Sequence, residues 1–220
     1  MQELDRRSVL WGLGACVAGG VGCSLATTPA EASGDTTTPR VRANLYACEG
    51  CEAILEREHS KLSATVQLAN SAEPGERLRL TGKVLSAEGR KPAAGVVIYA
   101  HHTNAAGLYA NGSDESEWSR RHGRLRGWAR TGADGVYTFD TIKPAPYPND
   151  TLPAHIHLVI QEPGRRAYYL DDVVFDGEFG VTPKYRASQE FRGGSGIIRL
   201  ERTAEGVWLA KRDIVLERHP

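Results

Sequence analysis

The 220-residue sequence predicts an all-β fold: a two-sheet antiparallel sandwich with a short, partly helical N-terminal extension. Short runs of alternating apolar residues, bounded by Gly, Pro and Asp clusters, recur from Glu76 to the C-terminus, the period of strands and not of helices. The 24 glycines and 11 prolines are scattered without a repeat, as the turns of such a domain require. A chain of 220 residues is long enough for one ordinary domain with a real core and short for two.

Residues 1–32 read as an export leader of the twin-arginine type and stand apart from the fold. Arg6 and Arg7 precede a glycine-rich apolar run from Val9 to Ala26, and AEA at Ala30–Ala32 offers a cleavage site before Ser33. The alternatives are a membrane-spanning anchor and a lipoprotein leader acylated at Cys23 or Cys16. All of them place the folded domain on the periplasmic or extracellular side. Residues 33–75 read as a flexible linker followed by an extension that carries Cys48 and Cys51 in YACEGCEAILE. In an oxidising compartment this pair most simply forms a local disulfide. A redox C-x-x-C lacks its βαβ setting here, and a zinc site lacks a second cysteine pair. CEAILEREHSKL is the best helical pattern in the chain.

Residues 76–220 read as the sandwich domain. RLRLTGKVL alternates, VVIYA runs as a buried strand, and RLRGWART meets VYTFDTI across the hairpin signal GADG. HIHLVI, AYYLDDVVF, GIIRL and VWLAKRDIVL follow as further strands. Two long loops interrupt this rhythm, His101 to Gly123 with Tyr109 and Lys143 to Pro153 with Tyr147; long loops in compact domains carry function or disorder.

The second loop leads into HIHLVI. In an extended segment His155 and His157 point the same way, about 6.6 Å apart along the strand, with Ile156, Leu158 and Ile160 on the other face. Two imidazoles alone leave open a surface pair or half of a zinc or copper site. Phenols as partners narrow the metal. A free tyrosine has a pKa near 10, and only a strongly polarising cation, ferric iron above all, makes its anion a ligand near neutrality.

TNAAGLY (Thr103–Tyr109), DGVYTFDTIKPAPYP (Asp134–Pro148) and LPAHIH (Leu152–His157) resemble the core of the intradiol ring-cleavage dioxygenases, the family of catechol 1,2-dioxygenase and protocatechuate 3,4-dioxygenase. The resemblance spans most of the sandwich, from Leu78 to Val174. It implies a prealbumin-like sandwich holding a non-haem Fe(III) centre, with Tyr109, Tyr147, His155 and His157 as ligands and Tyr147 and His157 as the axial pair. It further implies that a catechol replaces a solvent hydroxide and the Tyr147 phenolate, and that O2 opens the ring between its oxygen-bearing carbons to a muconate-type diacid. Well-studied members have an arginine directly before the P-A-H-x-H motif. Leu152 stands there in this chain, and Arg124 or Arg126 is expected to supply the missing cation. His102 and His122 have no ligand role in any motif and are expected to support the ligands or lie at the surface.

Other conspicuous residues read as structural. Trp128, Trp208, Phe139 and Ile142 are expected to pack in the core or on sheet faces, Asp171 and Asp172 to form a strand-end turn, and RLERTAEGVWLAKRD to be a solvated hairpin face. Basic and acidic residues balance at 27 each, so no field exists to hold nucleic acid. The expected partners are a catecholic small molecule and O2, with membrane contact only through the leader or a lipid anchor; a homo-oligomer stays open. Two other functions stay open as well: a non-enzymatic prealbumin-like binding module, which shares the strand and D-G-x-Y-x-F pattern, and an iron-binding relative without ring cleavage.

Overall fold

In the computed structural model, residues 41–112 and 116–220 are described. The leader readings, with Cys16 and Cys23, lie outside them. The chain builds β1 (Thr65–Gln67), β2 (Arg77–Leu85), β3 (Val97–His102), α1 (Glu117–His122), β4 (Arg126–Arg130), β5 (Val136–Ile142) and β6 (His155–Gln161). β7 (Tyr168–Tyr169), β8 (Val173–Phe175), α2 (Pro183–Ala187), β9 (Ile197–Ile198), β10 (Leu200–Arg202), β11 (Trp208–Lys211) and β12 (Ile214–Val215) complete it. One sheet has the order β1-β5-β2-β11-β10, with β12 also on β2; the other has β4-β3-β6-β8-β9, with β7 also on β6.

The two-sheet sandwich is the predicted one, but its sheets are mixed. β1 runs parallel to β5, β11 and β12 parallel to β2, and β9 parallel to β8. Neighbours close in the chain, such as β10 and β11, pair antiparallel, whereas these pairs join strands distant in sequence. GIIRL divides at Arg199, so that β9 belongs to one sheet and β10 to the other. The solvated hairpin face holds for the Lys211–Glu201 pair, yet Arg212 is wholly buried and donates to the carbonyls of Asp171 and Arg192.

Alternation sets the core. Ile98 and Ala100 of β3 and Ile156, Leu158 and Ile160 of β6 meet Leu78 and Leu80 of β2 and Phe139 of β5 between the sheets. The opposite face of β3 and β6 is covered in part by the extension: Cys51, Ala53 and Ile54 pack on Val97, Tyr99, Trp128 and Val159. This second covering layer explains why all six residues of β3 are buried.

The extension is not α-helical. It forms two 3₁₀ turns, Cys51–Glu56 and His59–Lys61, starting at Gly50 in the left-handed region (φ 81°) and closed by the expected Cys48–Cys51 disulfide. So short a segment cannot sustain a helix without tertiary support. β1 precedes Glu76 and lies in the first sheet, and the described part of the extension shares one compact unit with the sandwich. Among the described residues no helix is long and apolar enough to cross a membrane.

Candidate metal centre

Two loops that are distant in sequence are tied together at the open end of β3 and β6. After β3, Asn104 closes a tight turn: its side-chain oxygen accepts from the backbone N–H groups of Ala106 (2.9 Å) and Leu108 (3.0 Å). The Thr103 hydroxyl donates to the Ala145 carbonyl at 2.7 Å, and the Ala145 N–H to the Asn104 carbonyl at 3.2 Å. Gly107 has φ +76°, and a Cβ there would lie 2.1 Å from the Pro146 carbonyl oxygen. Only glycine allows that approach. On its other side Tyr109 backs onto Gly123, where a Cβ would lie 3.0 Å from the Tyr109 Cα. The glycines and prolines of the two motifs thus bring Tyr109 beside Tyr147.

β6 presents the two histidines on its outer face, as alternation requires. The four side chains form a chain of contacts. The Tyr109 and Tyr147 hydroxyls are 2.7 Å apart, Tyr147 Oη is 3.2 Å from His155 Nε2, and the two Nε2 atoms are 3.1 Å apart. His155 Nδ1–H donates to the Pro153 carbonyl at 2.7 Å, and His157 Nδ1–H donates to Asp172 Oδ1 at 2.8 Å. Both imidazoles therefore turn an Nε2 lone pair inward.

Two lone pairs at this distance repel unless a metal ion or a proton lies between them. Metal–nitrogen bonds of about 2.0–2.1 Å place neighbouring ligand atoms roughly 3 Å apart, the separation observed along this chain of donors. The phenols are consistent with the same need. Burial raises the pKa of Tyr109, and the bond to Tyr147 adds to this; burial also raises Tyr147, with Asp172 and Asp150 adding to it. Without a cation both phenols stay protonated, and a strongly polarising one is required to ionise them. Burial, then the charge of His157, lowers the pKa of His155. Burial also acts to lower His157, but the adjoining Asp172 carboxylate outweighs it and raises the group. Two oxygen and two nitrogen donors of this kind suit ferric iron.

The sequence model of the dioxygenase family matches residues 53–184, more than half of the chain. The chain belongs to the intradiol dioxygenase family. It is 34% identical over 125 residues to the protocatechuate 3,4-dioxygenase beta chain of Burkholderia cepacia, covering 54% of this chain and 52% of that one. It is 27% identical over 150 residues to catechol 1,2-dioxygenase 2 of Acinetobacter lwoffii, covering 56% and 53%. The chain thus spans about half the length of these relatives. Among solved structures, the dioxygenase domain of a dioxygenase–carbohydrate-binding fusion from Streptomyces sp. SirexAA-E matches with a TM-score of 0.53 at 29% identity, over 69% of this chain and 86% of that one. An intradiol ring-cleavage dioxygenase from Tetranychus urticae shares the fold, with a TM-score of 0.52 at 18% identity over 82% and 94%.

In this chain the arginines expected at the site are engaged elsewhere. Arg124 donates to both oxygens of buried Glu73 at 2.8 Å, and Arg126 pairs with Glu56, donates to Ser116 Oγ at 3.0 Å and lies over the Trp128 ring. Neither makes a hydrogen bond or ion pair with the four donors among the described residues. The reason is local: β4 carries Arg126 opposite His101, where the extension supplies Glu56, and Arg124, just before β4, meets Glu73. Asp172, expected in a simple turn, instead holds His157, while Asp171 accepts from the N–H groups of Phe191 (2.7 Å) and Arg192 (3.2 Å).

Three further histidines surround the donors. His101 pairs across the sheet with His157 and stacks between it and His122, with ring centroids 4.5 and 3.9 Å apart. His122 Nδ1 is 2.9 Å from the Tyr99 hydroxyl, and burial lowers its pKa to about 4. His102 faces the core. The spacing HHTN, set two residues ahead of the tyrosine turn on an alternating strand, is the signal that one of His101 and His102 shares the outer face with His157.

Proposed function

We propose that this protein is a non-haem Fe(III)-dependent intradiol dioxygenase that opens a catechol-type ring between its two hydroxylated carbons with O2, giving a muconate-type diacid. The observation that carries the reading is the convergence of two phenol oxygens and two imidazole nitrogens, each within hydrogen-bonding distance of the next. The names of the curated relatives, which act on catechol and protocatechuate, support it. Ferric iron, when bound, supplies a Lewis acid that favours the doubly deprotonated catechol.

The chain's own groups divide the remaining work. With iron bound, His155 and His157 would be donors at Nε2, the tautomer set by the bonds of their Nδ1 protons to Pro153 and Asp172. Tyr109, clamped between Gly107 and Gly123, is the fixed phenolate. Tyr147 sits on the loop before β6, and its Oη, ionised only where iron is bound, would take up a proton from an incoming catechol hydroxyl.

A second reading, an iron-binding relative without ring cleavage, is favoured by Leu152 in place of the family arginine. Loss of one well-placed electrostatic stabiliser costs about 10²–10³ in rate. One experiment separates the two. Oxygen uptake by the iron-loaded protein with simple catechols, coupled to detection of the ring-opened diacid, is expected to give one O2 consumed per catechol. Binding of iron with no catechol consumed would leave the second reading.

A further inference from the structure

The charged groups around the four donors bear on which catechols the site takes, given the ring-cleavage reading above on which this inference rests. Asp172 lies 2.8 Å from His157, and its charge acts on Tyr109, Tyr147 and His155 as well. Asp150, whose Oδ1 accepts from the N–H groups of Thr151 (2.6 Å) and Leu152 (3.1 Å), adds a second negative charge at the mouth. As ligands, two phenolates would offset two of the three positive charges of a bound ferric ion.

The arginines and the lysine nearest these motifs in the sequence are committed to other carboxylates. Arg124 is committed to Glu73, Arg126 to Glu56, and Lys143 to Glu178. Arg212 does act on Asp172, but it is buried beneath the sheet and spends its N–H groups on backbone carbonyls. The residues flanking the donors are instead apolar and exposed. Leu108 immediately precedes Tyr109, and Leu152 lies three residues before His155, at 53% and 44% exposure. Exposed Phe179 is carried by a segment pressed onto the same loop: a Cβ on its neighbour Gly180 would lie 2.6 Å from the Pro153 nitrogen.

We propose that the site selects catechols whose ring substituents are neutral or cationic and turns away those that carry a carboxylate, with Leu152 as a specificity-determining residue. A carboxylate on the ring would add a further negative charge to those of Asp172 and Asp150 while Arg124, Arg126 and Lys143 are already paired, and like charges placed together across a binding surface act against the wrong ligand. An apolar or ammonium-bearing substituent meets no such penalty.

The test uses the full chain loaded with ferric iron. Binding of 4-methylcatechol, dopamine and 3,4-dihydroxybenzoate is measured by calorimetry without oxygen, and oxygen uptake is then measured with each. We expect 3,4-dihydroxybenzoate to bind at least about tenfold more weakly than the other two. The gap should narrow as salt is raised, and Leu152→Arg should narrow it further by favouring the carboxylate. Equal or tighter binding of 3,4-dihydroxybenzoate by the native protein would overturn the proposal, as would failure of all three to bind. If the binding gap is present and no catechol consumes oxygen, the ring-cleavage reading falls while the selection stands.

Discussion

Asp172 shows how a single residue completes the site. By accepting the His157 Nδ1 proton it fixes the tautomer whose Nε2 faces the other donors. Asp172→Asn is expected to weaken metal binding by about 10–100-fold, read by competition with a chelator; unchanged affinity would remove Asp172 from the account. His102 makes the opposite kind of contribution, from the core. Its Nδ1–H donates to the Thr103 carbonyl and its Nε2 accepts from the Thr141 hydroxyl, both at 2.7 Å, and burial lowers its pKa from 6.5 to about 4. Between these values the unfolded chain binds a proton that the folded chain refuses. This contribution therefore lowers stability as pH drops from 6.5 towards about 4 and is level above 6.5. The metal-free protein should melt at a lower temperature near pH 5 than near pH 7.5, and His102→Gln should reduce the difference; an undiminished difference would assign it to other groups.

At the scale of elements, the site is made by two loops and one strand. Gly107 is the hinge of that arrangement, because any side chain there strikes the Pro146 carbonyl and prefers another backbone conformation. Gly107→Ala should destabilise the fold by about 2–4 kcal/mol and separate Tyr109 from Tyr147, measured as a lower denaturation midpoint together with reduced metal binding. A variant with native stability and metal content would refute this. The same elements show what was legible in the sequence. Alternation alone places His155 and His157 on one face and Ile156 and Ile160 on the other, and β2 to β6 begin and end close to their apolar runs. The partner of His157 was not legible. β7 pairs Val159 with Tyr169, but β8 pairs His155 with Val174, so one extra residue is inserted between them. An unbroken register would set Asp171 opposite His157. The bulge sets Asp172 there and sends Asp171 to the Phe191–Arg192 turn, a shift that no side-chain pattern records. The places of Arg124 and Arg126 escaped for a related reason: their partners, Glu73 and Glu56, lie in the extension, far away in sequence.

For the whole molecule, the outer face of the second sheet is divided. The disulfide-closed extension covers one end, and the other end is left to the four donors and the open loops. We propose export by the twin-arginine route, as expected from Arg6 and Arg7. Replacement of both arginines by lysine should leave precursor in the cytoplasm, detected by fractionation; undiminished export would rule out the twin-arginine route. The central claim, however, concerns the metal. The most direct test is the visible absorption spectrum of natively expressed protein, with its iron content measured on the same sample. One iron per chain is expected, with a red-brown colour from tyrosinate-to-iron charge transfer that Tyr109→Phe and Tyr147→Phe each shift or remove. A colourless protein that carries stoichiometric zinc, or an iron band unaffected by either substitution, would contradict it.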